Sequence, residues 1–450
     1  MDKIRIKSML ALGAVMLTGM NPFVSAHDDI LPLTVKAEVD RPIIHQGKEE
    51  QKVVIKIEVT GERVPIGNRM PLNLAIVLDR SGSMSGGKLD QAKQAAEMLV
   101  DQLESDDVLS LVVYESEVEV VLSARRLGDR HAEIKRLIRG IHTGGSTALY
   151  GGVEKGGREL SEFFSKERIN RVILLSDGIA NVGPSSNREI AQLGSRLARD
   201  GMSVTTIGLG GDYNETLMTA LAEASDANYY YVADVETLPE VFRSELGELK
   251  SLVARDFQIE IRCPEGVRPI RFLGRPEELK SQTGSLTFGT LASGQTRALY
   301  LECAVSPDVQ GTLTEIATIS ATFEDLKQGK RAKVAERIVV VGYTEDSALA
   351  EKSVNEAIRA ESVIYANAVE TEKTIAYADA GNIDASRANI VKQKAELNAV
   401  FAAAPEAQKE ALREEISALE ETERDLESDS LSNDQRKRLS IGSFLKRNAK

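Results

Sequence analysis

The chain has 450 residues, which is too long for a single hydrophobic core and predicts two or three domains. Hydrophobic residues make up 42% of it, as in a globular protein. Its 69 acidic and 56 basic residues give a net charge of −13. This charge argues against a nucleic-acid ligand, because binding a phosphate backbone needs a basic face.

The first residues have the pattern of an export signal. Lys3, Arg5 and Lys7 precede an apolar core over residues 9–20, and a small-residue cleavage pattern ends at Ala26. The core is too short to span a bilayer, and no later segment is long and apolar enough to do so. The sequence therefore predicts a signal peptide cleaved after Ala26, a periplasmic or secreted mature protein and no integral membrane span.

Two patterns follow along the chain. From Leu31 to Gly61, apolar and polar residues alternate, which predicts two half-buried strands. From Pro71, continuous apolar runs such as LNLAIVLD and RVILLSDG alternate with segments of helical period. Such runs are typical of strands buried on both faces, and their alternation with helices predicts a parallel sheet covered by helices on both sides.

After Arg255 the pattern returns to strands alone, and the sequence becomes helical after Asp346. Because the strands on the two flanks have the same character, we expect them to share one β-sandwich; a separate N-terminal hairpin is the alternative. The predicted fold class is an α/β domain with a doubly wound, Rossmann-like, mostly parallel sheet, inserted in a β-sandwich and followed by a C-terminal helical segment. The predicted segments are a signal peptide (1–26), N-terminal sandwich strands (31–70), the α/β domain (71–253), the remainder of the sandwich (254–345), a helical hairpin or bundle (346–428) and a flexible tail (429–450).

Cysteine usage leaves one question open. The chain has two cysteines, Cys263 and Cys303, and both lie in strand-like sequence. An oxidising compartment favours a disulfide between them, and two separate buried thiols are the alternative. We expect no role in metal binding, because there is no C-x-x-C motif.

Polar side chains cluster where the predicted buried strands end. Asp79, Ser81 and Ser83 occupy alternate positions in VLDRSGSMSGGK, Thr147 lies in the glycine-rich GGSTALYGG, and Asp177 follows another buried strand. The carboxyl ends of parallel strands meet at one edge of a sheet, which is where α/β domains bind ligands. Carboxylate and hydroxyl oxygens suit hard cations, so the sequence predicts a site for Mg²⁺, with Mn²⁺ or Ca²⁺ possible.

Two other interpretations of these residues compete with a metal site. Gly82, Gly87 and Lys88 nearly spell a nucleotide-binding phosphate loop, but Leu89 stands where that loop needs a hydroxyl for Mg²⁺. An exported protein also meets little nucleotide, so we expect no nucleotide ligand. In the structural interpretation, the aspartates only cap helices and the serines only form turns.

The motifs DRSGSM, GGSTALYGG, ILLSDG and TTIGLGGDYNETLM make residues 71–253 resemble a von Willebrand factor A domain of the bacterial secreted type, with a metal-ion-dependent adhesion site. The resemblance implies that Ser81, Ser83 and Thr147 ligate the metal directly while the aspartates can act through water. Ser146 is a second hydroxyl beside Thr147, and Arg80 is expected to add positive charge at the rim.

In that family, a carboxylate of the bound protein completes the metal's coordination. The resemblance therefore implies a metal-dependent adhesion or scaffold module that binds an acidic side chain of a protein partner and is not an enzyme. The alternatives are a metal-assisted hydrolase and a scaffold whose metal is purely structural.

Overall fold

The computed structural model describes residues 31–47, 49–63, 69–275, 278–306, 313–428 and 430–448, so the predicted signal peptide lies outside the described residues. The strands are β1 (Leu33–Val39), β2 (Ile43–His45), β3 (Gln51–Gly61), β4 (Leu72–Asp79), β5 (Val108–Tyr114), β6 (Val118–Arg126), β7 (Ile169–Ser176), β8 (Ser203–Leu209), β9 (Tyr229–Val232), β10 (Leu252–Arg262), β11 (Val267–Phe272), β12 (Thr283–Ala292), β13 (Thr296–Val305), β14 (Leu313–Asp325) and β15 (Lys330–Thr344). The helices are α1 (Lys88–Gln102), α2 (His131–Arg139), α3 (Leu149–Ser161), α4 (Asn187–Arg199), α5 (Glu215–Ala224), α6 (Leu238–Lys250), α7 (Ser347–Lys352), α8 (Glu356–Asp379), α9 (Ile383–Phe401), α10 (Glu406–Asp425) and α11 (Asn433–Arg447). Among the described residues, no helix has both the length and the apolar character needed to cross a bilayer.

Strands β4 to β9 form the sheet of the α/β domain, in the order β6-β5-β4-β7-β8-β9. Strand β6 runs antiparallel to β5, and the other neighbouring pairs are parallel. Every residue of β4, β5 and β7 is buried, which explains their continuous apolar sequence. The predicted α/β class with a mostly parallel sheet is confirmed.

Helices cover both faces of this sheet. Helices α1, α2 and α6 pack in one apolar core, and α3, α4 and α5 pack in the other. Helix α3 lies unusually close to the sheet: a Cβ atom at Gly156 would lie 2.6 Å from Val77 Cγ2, and one at Gly152 would lie 2.7 Å from Tyr114 Cδ1. The two glycines therefore fix how closely the start of α3, and the loop before it, approach the ends of β4 and β5.

The remaining strands form two sheets, with orders β1-β3-β13-β11 and β12-β10-β14-β15-β2. Strand β3 pairs antiparallel with β13, and β2 pairs with β15. The strands before the α/β domain thus belong to the same two sheets as the strands after it. The α/β domain is inserted between β3 and β10, rather than preceded by a separate hairpin.

The two cysteines are free, buried thiols in the structure. Cys263 directly follows β10 and Cys303 lies in β13, so the thiols come from different sheets of the sandwich. The contact with the Cys263 thiol, together with burial, raises the pKa of Cys303. The structure thus places the two thiols in contact with each other and does not bond them.

Helices α8, α9 and α10 pack in a further small core, which Leu439 of α11 also joins. Helix α8 also contacts the sandwich, where the rings of Tyr300 and Tyr365 are 4.5 Å apart and Lys56 Nζ lies 2.7 Å from Glu361 Oε2. The predicted helical segment is therefore docked on the sheet that contains β3 and β13.

The C-terminal residues differ from the sequence prediction. Residues 429–450 were expected to form a flexible tail, but Asn433–Arg447 form α11. This helix packs on the α/β domain: Lys437 is buried, and its Nζ donates to the Gly211 carbonyl oxygen at 2.9 Å and lies 3.3 Å from Glu215 Oε2. Phe444 enters the core beneath α3, α4 and α5. The prediction of a flexible tail was wrong because the contacts of α11 are with distant residues that its own sequence does not reveal.

Candidate functional site

Two buried carboxylates lie side by side at the carboxyl edge of the α/β sheet. Asp79 is the last residue of β4, and Asp177 directly follows β7. Because these strands are parallel neighbours in register, with Leu78 opposite Leu175, both side chains emerge at the same edge. Both residues are 0% exposed.

The loop after β4 carries the two serines back toward these carboxylates. The Ser81 backbone N–H donates to Asp79 Oδ1 at 2.8 Å, which turns the chain sharply after the strand. The hydroxyls of Ser81 and Ser83 are 3.0 Å apart, and Ser83 Oγ donates to Asp177 Oδ1 at 2.7 Å. Four of the five predicted residues thus form one continuous hydrogen-bonded set.

The loop that carries Thr147 is tied to the same place by its backbone. Glu115 Oε2 accepts a hydrogen bond from the Gly145 N–H at 2.8 Å, and the Gly82 N–H donates to the Gly145 carbonyl oxygen at 3.0 Å. The Thr147 N–H donates to Asn181 Oδ1 at 2.8 Å. These bonds connect the Thr147 loop to the segments that follow β4, β5 and β7.

The side-chain oxygens converge at Gly178. A Cβ atom placed on this glycine would lie 3.1 Å from Thr147 Oγ1, 3.3 Å from Ser83 Oγ and 3.8 Å from Asp79 Oδ2. Oxygens from three separate segments therefore surround one point beside a residue that has no side chain. The structure brings all five predicted residues together, and it is Thr147 rather than the exposed Ser146 that contributes a hydroxyl at this point.

Charge in this site is balanced by its immediate neighbours. Burial and the negative charge of Asp177 raise the pKa of Asp79, although hydrogen bonds from Ser81 and Ser176 oppose the change. Ser176 Oγ donates to Asp79 Oδ2 at 2.7 Å. Lys88 Nζ lies 2.6 Å from Asp177 Oδ2.

Sequence reasoning missed several residues that support the site. Asp79 accepts a hydrogen bond from Ser176, and the loop that carries Thr147 is held by Glu115 and Asn181. In sequence, these three are ordinary polar residues at strand ends and in loops. Ser176 alone had a usable signal, because it precedes Asp177 at the end of a buried strand. Arg80, expected to add positive charge, is instead paired with Glu119 at 3.0 Å and lies 3.8 Å from Glu115.

The donor set determines which metals the site can accept. Over the described residues, no three His, Cys, Asp or Glu side chains are grouped as metal ligands. The site instead offers three hydroxyls and two carboxylates, all of them hard oxygen donors. Such a set suits Mg²⁺, Mn²⁺ or Ca²⁺ and disfavours metals that prefer nitrogen or sulfur. The space beside Gly178 and the chemistry of these donors fit a hard divalent cation.

Comparison with known proteins finds relatives of the α/β domain. Residues 73–244 match the family described as von Willebrand factor type A domain. The uncharacterized protein YfbK of Escherichia coli is 28% identical over 228 residues, covering 50% of this chain and 40% of that protein. The uncharacterized protein sll0103 of Synechocystis is 30% identical over 189 residues, covering 42% of this chain and 44% of that protein. The matches thus span less than half of these relatives.

A solved structure extends the similarity to the whole architecture. The protein described as von Willebrand factor type A from Catenulispora acidiphila superposes with a TM-score of 0.71, at 17% identity, over 93% of this chain and 98% of that one. The fold of that solved structure therefore includes counterparts of the sandwich and of much of the helical segment of this chain. The chain contains a von Willebrand factor type A domain, which residues 73–244 form.

Proposed function

We propose that this chain is an extracytoplasmic binding protein that uses a Mg²⁺ ion at the Asp79–Asp177 site to capture a carboxylate of a protein partner. The observation that carries the proposal is the convergence of Thr147 Oγ1, Ser83 Oγ and Asp79 Oδ2 around the position beside Gly178. The export pattern at the N-terminus supports the extracytoplasmic location, and the family of the domain supports a binding role.

The residues of the site divide into two groups by exposure. Asp79, Ser81, Thr147 and Asp177 are buried, whereas Ser83 is exposed to solvent. The buried carboxylates supply negative charge without being available to a partner. Hydroxyls bind a cation without neutralising it, and carboxylates that act through water neutralise it only in part. A bound Mg²⁺ would therefore keep positive charge that attracts an acidic side chain from solvent. Because Ser83 is exposed, the partner's acidic side chain can reach the site from solvent.

Substituting Gly178 by alanine tests whether the space beside it is used. The added methyl group would lie 3.1 Å from Thr147 Oγ1 and 3.3 Å from Ser83 Oγ, in the position that the oxygens surround. We expect the Mg²⁺ affinity measured by calorimetry to fall at least tenfold, about 1.4 kcal/mol. Gly247→Ala in α6 is the control, because a Cβ there meets nothing within 4 Å. Equal affinities for the two variants would place the metal elsewhere.

Partner capture is tested with the immobilised protein and an envelope extract of the source organism. Wild-type protein should retain specific polypeptides in Mg²⁺ and release them in EDTA. Thr147→Val removes the hydroxyl while keeping the side chain's shape, and it should lose the same polypeptides. Thr216→Val, at an exposed position in α5, should retain them. Retention that is unaffected by EDTA and by Thr147→Val would contradict metal-dependent capture.

The same proteins distinguish the two alternative functions. A purely structural metal predicts that EDTA lowers the melting temperature but leaves partner retention unchanged once the protein is folded. A metal-assisted hydrolase predicts turnover of ester, phosphoester or peptide substrates that Thr147→Val abolishes. We expect neither result, because the proposed function needs only a cation and an open coordination position.

A further inference from the structure

Lys88 forms an ion pair with one of the site's buried carboxylates. It is the first residue of α1, and its Nζ lies 2.6 Å from Asp177 Oδ2. The Lys88 side chain is 27% exposed while that of Asp177 is 0% exposed, so the lysine reaches the carboxylate from the solvent side. The other oxygen, Asp177 Oδ1, accepts the hydrogen bond from Ser83. Both oxygens of Asp177 are thus engaged by neighbours in the site.

The backbone before α1 directs the lysine to this position. Gly86 and Gly87 have φ angles of 77° and 103°, in the left-handed region that glycine adopts readily. This turn starts α1 with Lys88 pointing back over the site. Gly210 also lies next to the ammonium group, because a Cβ atom there would be 3.8 Å from Lys88 Nζ. Glycines therefore leave room for the Lys88 side chain both at the start of α1 and at Gly210.

The position of Lys88 at the start of α1 is unfavourable unless the Asp177 carboxylate compensates for it. The amino end of a helix carries a partial positive charge, so a lysine at the first position is repelled by the helix dipole. Helix α1 has one acidic residue in its first turn, Asp90, and that side chain pairs with Lys93 at 2.9 Å. We attribute the placement of Lys88 to Asp177, because Asp79 and Asp177 together concentrate two negative charges in a buried place.

We propose that Lys88 is an internal competitor of the metal, which lowers the site's affinity for divalent cations. This inference rests on the proposed function. A divalent cation among the five residues and an ammonium group on Asp177 would be like charges a few ångströms apart, with little solvent between them. Binding the metal must therefore weaken or displace the Lys88–Asp177 pair. The site then releases its metal more readily than its donor set alone would allow.

Calorimetric titration of Mg²⁺ and Mn²⁺ into the full-length protein tests this competition. Lys88→Met keeps the aliphatic stem and removes the charge, and we expect its affinity for both metals to rise at least tenfold. Lys88→Arg keeps the charge and should stay within about threefold of wild type. Lys93→Met is the control on the same helix, because its ammonium group contacts Asp90 and the Ile141 carbonyl oxygen rather than the site.

Melting temperatures in EDTA give a second measurement that needs no metal. Without Lys88, the buried charge of Asp177 loses its cationic partner, so Lys88→Met should melt at a lower temperature than Lys93→Met.

In the titrations, equal Mg²⁺ affinities of wild type and Lys88→Met would overturn the competition and leave the proposed function standing. Binding by Lys88→Met alone would support the competition in its strongest form. Binding by neither protein would overturn both proposals.

Discussion

Replacing Asp79 by asparagine should weaken Mg²⁺ binding at least a hundredfold, which corresponds to about 2.8 kcal/mol. The amide keeps an oxygen that can accept the hydrogen bond from the Ser81 N–H, so the turn after β4 is preserved. It removes the negative charge next to the point where Thr147 and Ser83 converge. Calorimetric titration measures the affinity, and circular dichroism confirms that the variant is folded.

Asp79→Ala extends the same test. Alanine leaves the Ser81 N–H and the Ser176 hydroxyl without their buried acceptor, at a cost of about 1–3 kcal/mol for each unsatisfied group. We expect the fold to survive this loss, because Asp79 lies at the very end of β4, at the edge of the sheet, and we expect no measurable Mg²⁺ binding. Asp90→Ala, on the exposed side of α1, is the control. Wild-type affinity in Asp79→Asn would refute the site assignment.

Replacing Phe444 by alanine should lower the free energy of unfolding by about 3–5 kcal/mol, the usual cost of removing a buried phenylalanine. Phe444 is 1% exposed and packs edge-on against Tyr229, with ring centroids 5.7 Å apart. Urea unfolding followed by circular dichroism gives the change. Leu445→Ala is a matched control one residue away, because Leu445 is 39% exposed and its removal should cost about 0.5 kcal/mol or less.

This second comparison tests whether the C-terminal helix is part of the α/β domain's core. If α11 is docked as the structure has it, the two neighbouring substitutions differ by several kcal/mol. Similar small losses from Phe444→Ala and Leu445→Ala would contradict the packing of α11 on the α/β domain.

The predictable parts of the molecule are those that local sequence determines. The apolar run LNLAIVLD specifies a strand buried on both faces, and β4 is the central strand that it predicts. Asp79, Ser81, Ser83, Thr147 and Asp177 could be grouped before the structure was known, because the ends of parallel strands lie at one edge of a sheet.

The parts that could not be predicted depend on distant contacts. Helix α11 has few apolar residues, and its most buried positions include a lysine, Lys437, whose charge is satisfied by Gly211 and Glu215 far away in sequence. From sequence alone, such a lysine predicts a solvent-exposed position. In sequence, Lys88 resembles only part of a phosphate loop, because nothing in the spacing shows that two left-handed glycines turn it toward Asp177.

Anomalous X-ray scattering from crystals grown with Mn²⁺ in place of Mg²⁺ would test the central claim most directly. We predict one anomalous peak beside Gly178, within coordination distance of the hydroxyl oxygens of Ser83 and Thr147. We predict no such peak in crystals of Asp79→Ala. A protein that binds Mn²⁺ in solution but shows its anomalous peak away from these residues would contradict the account.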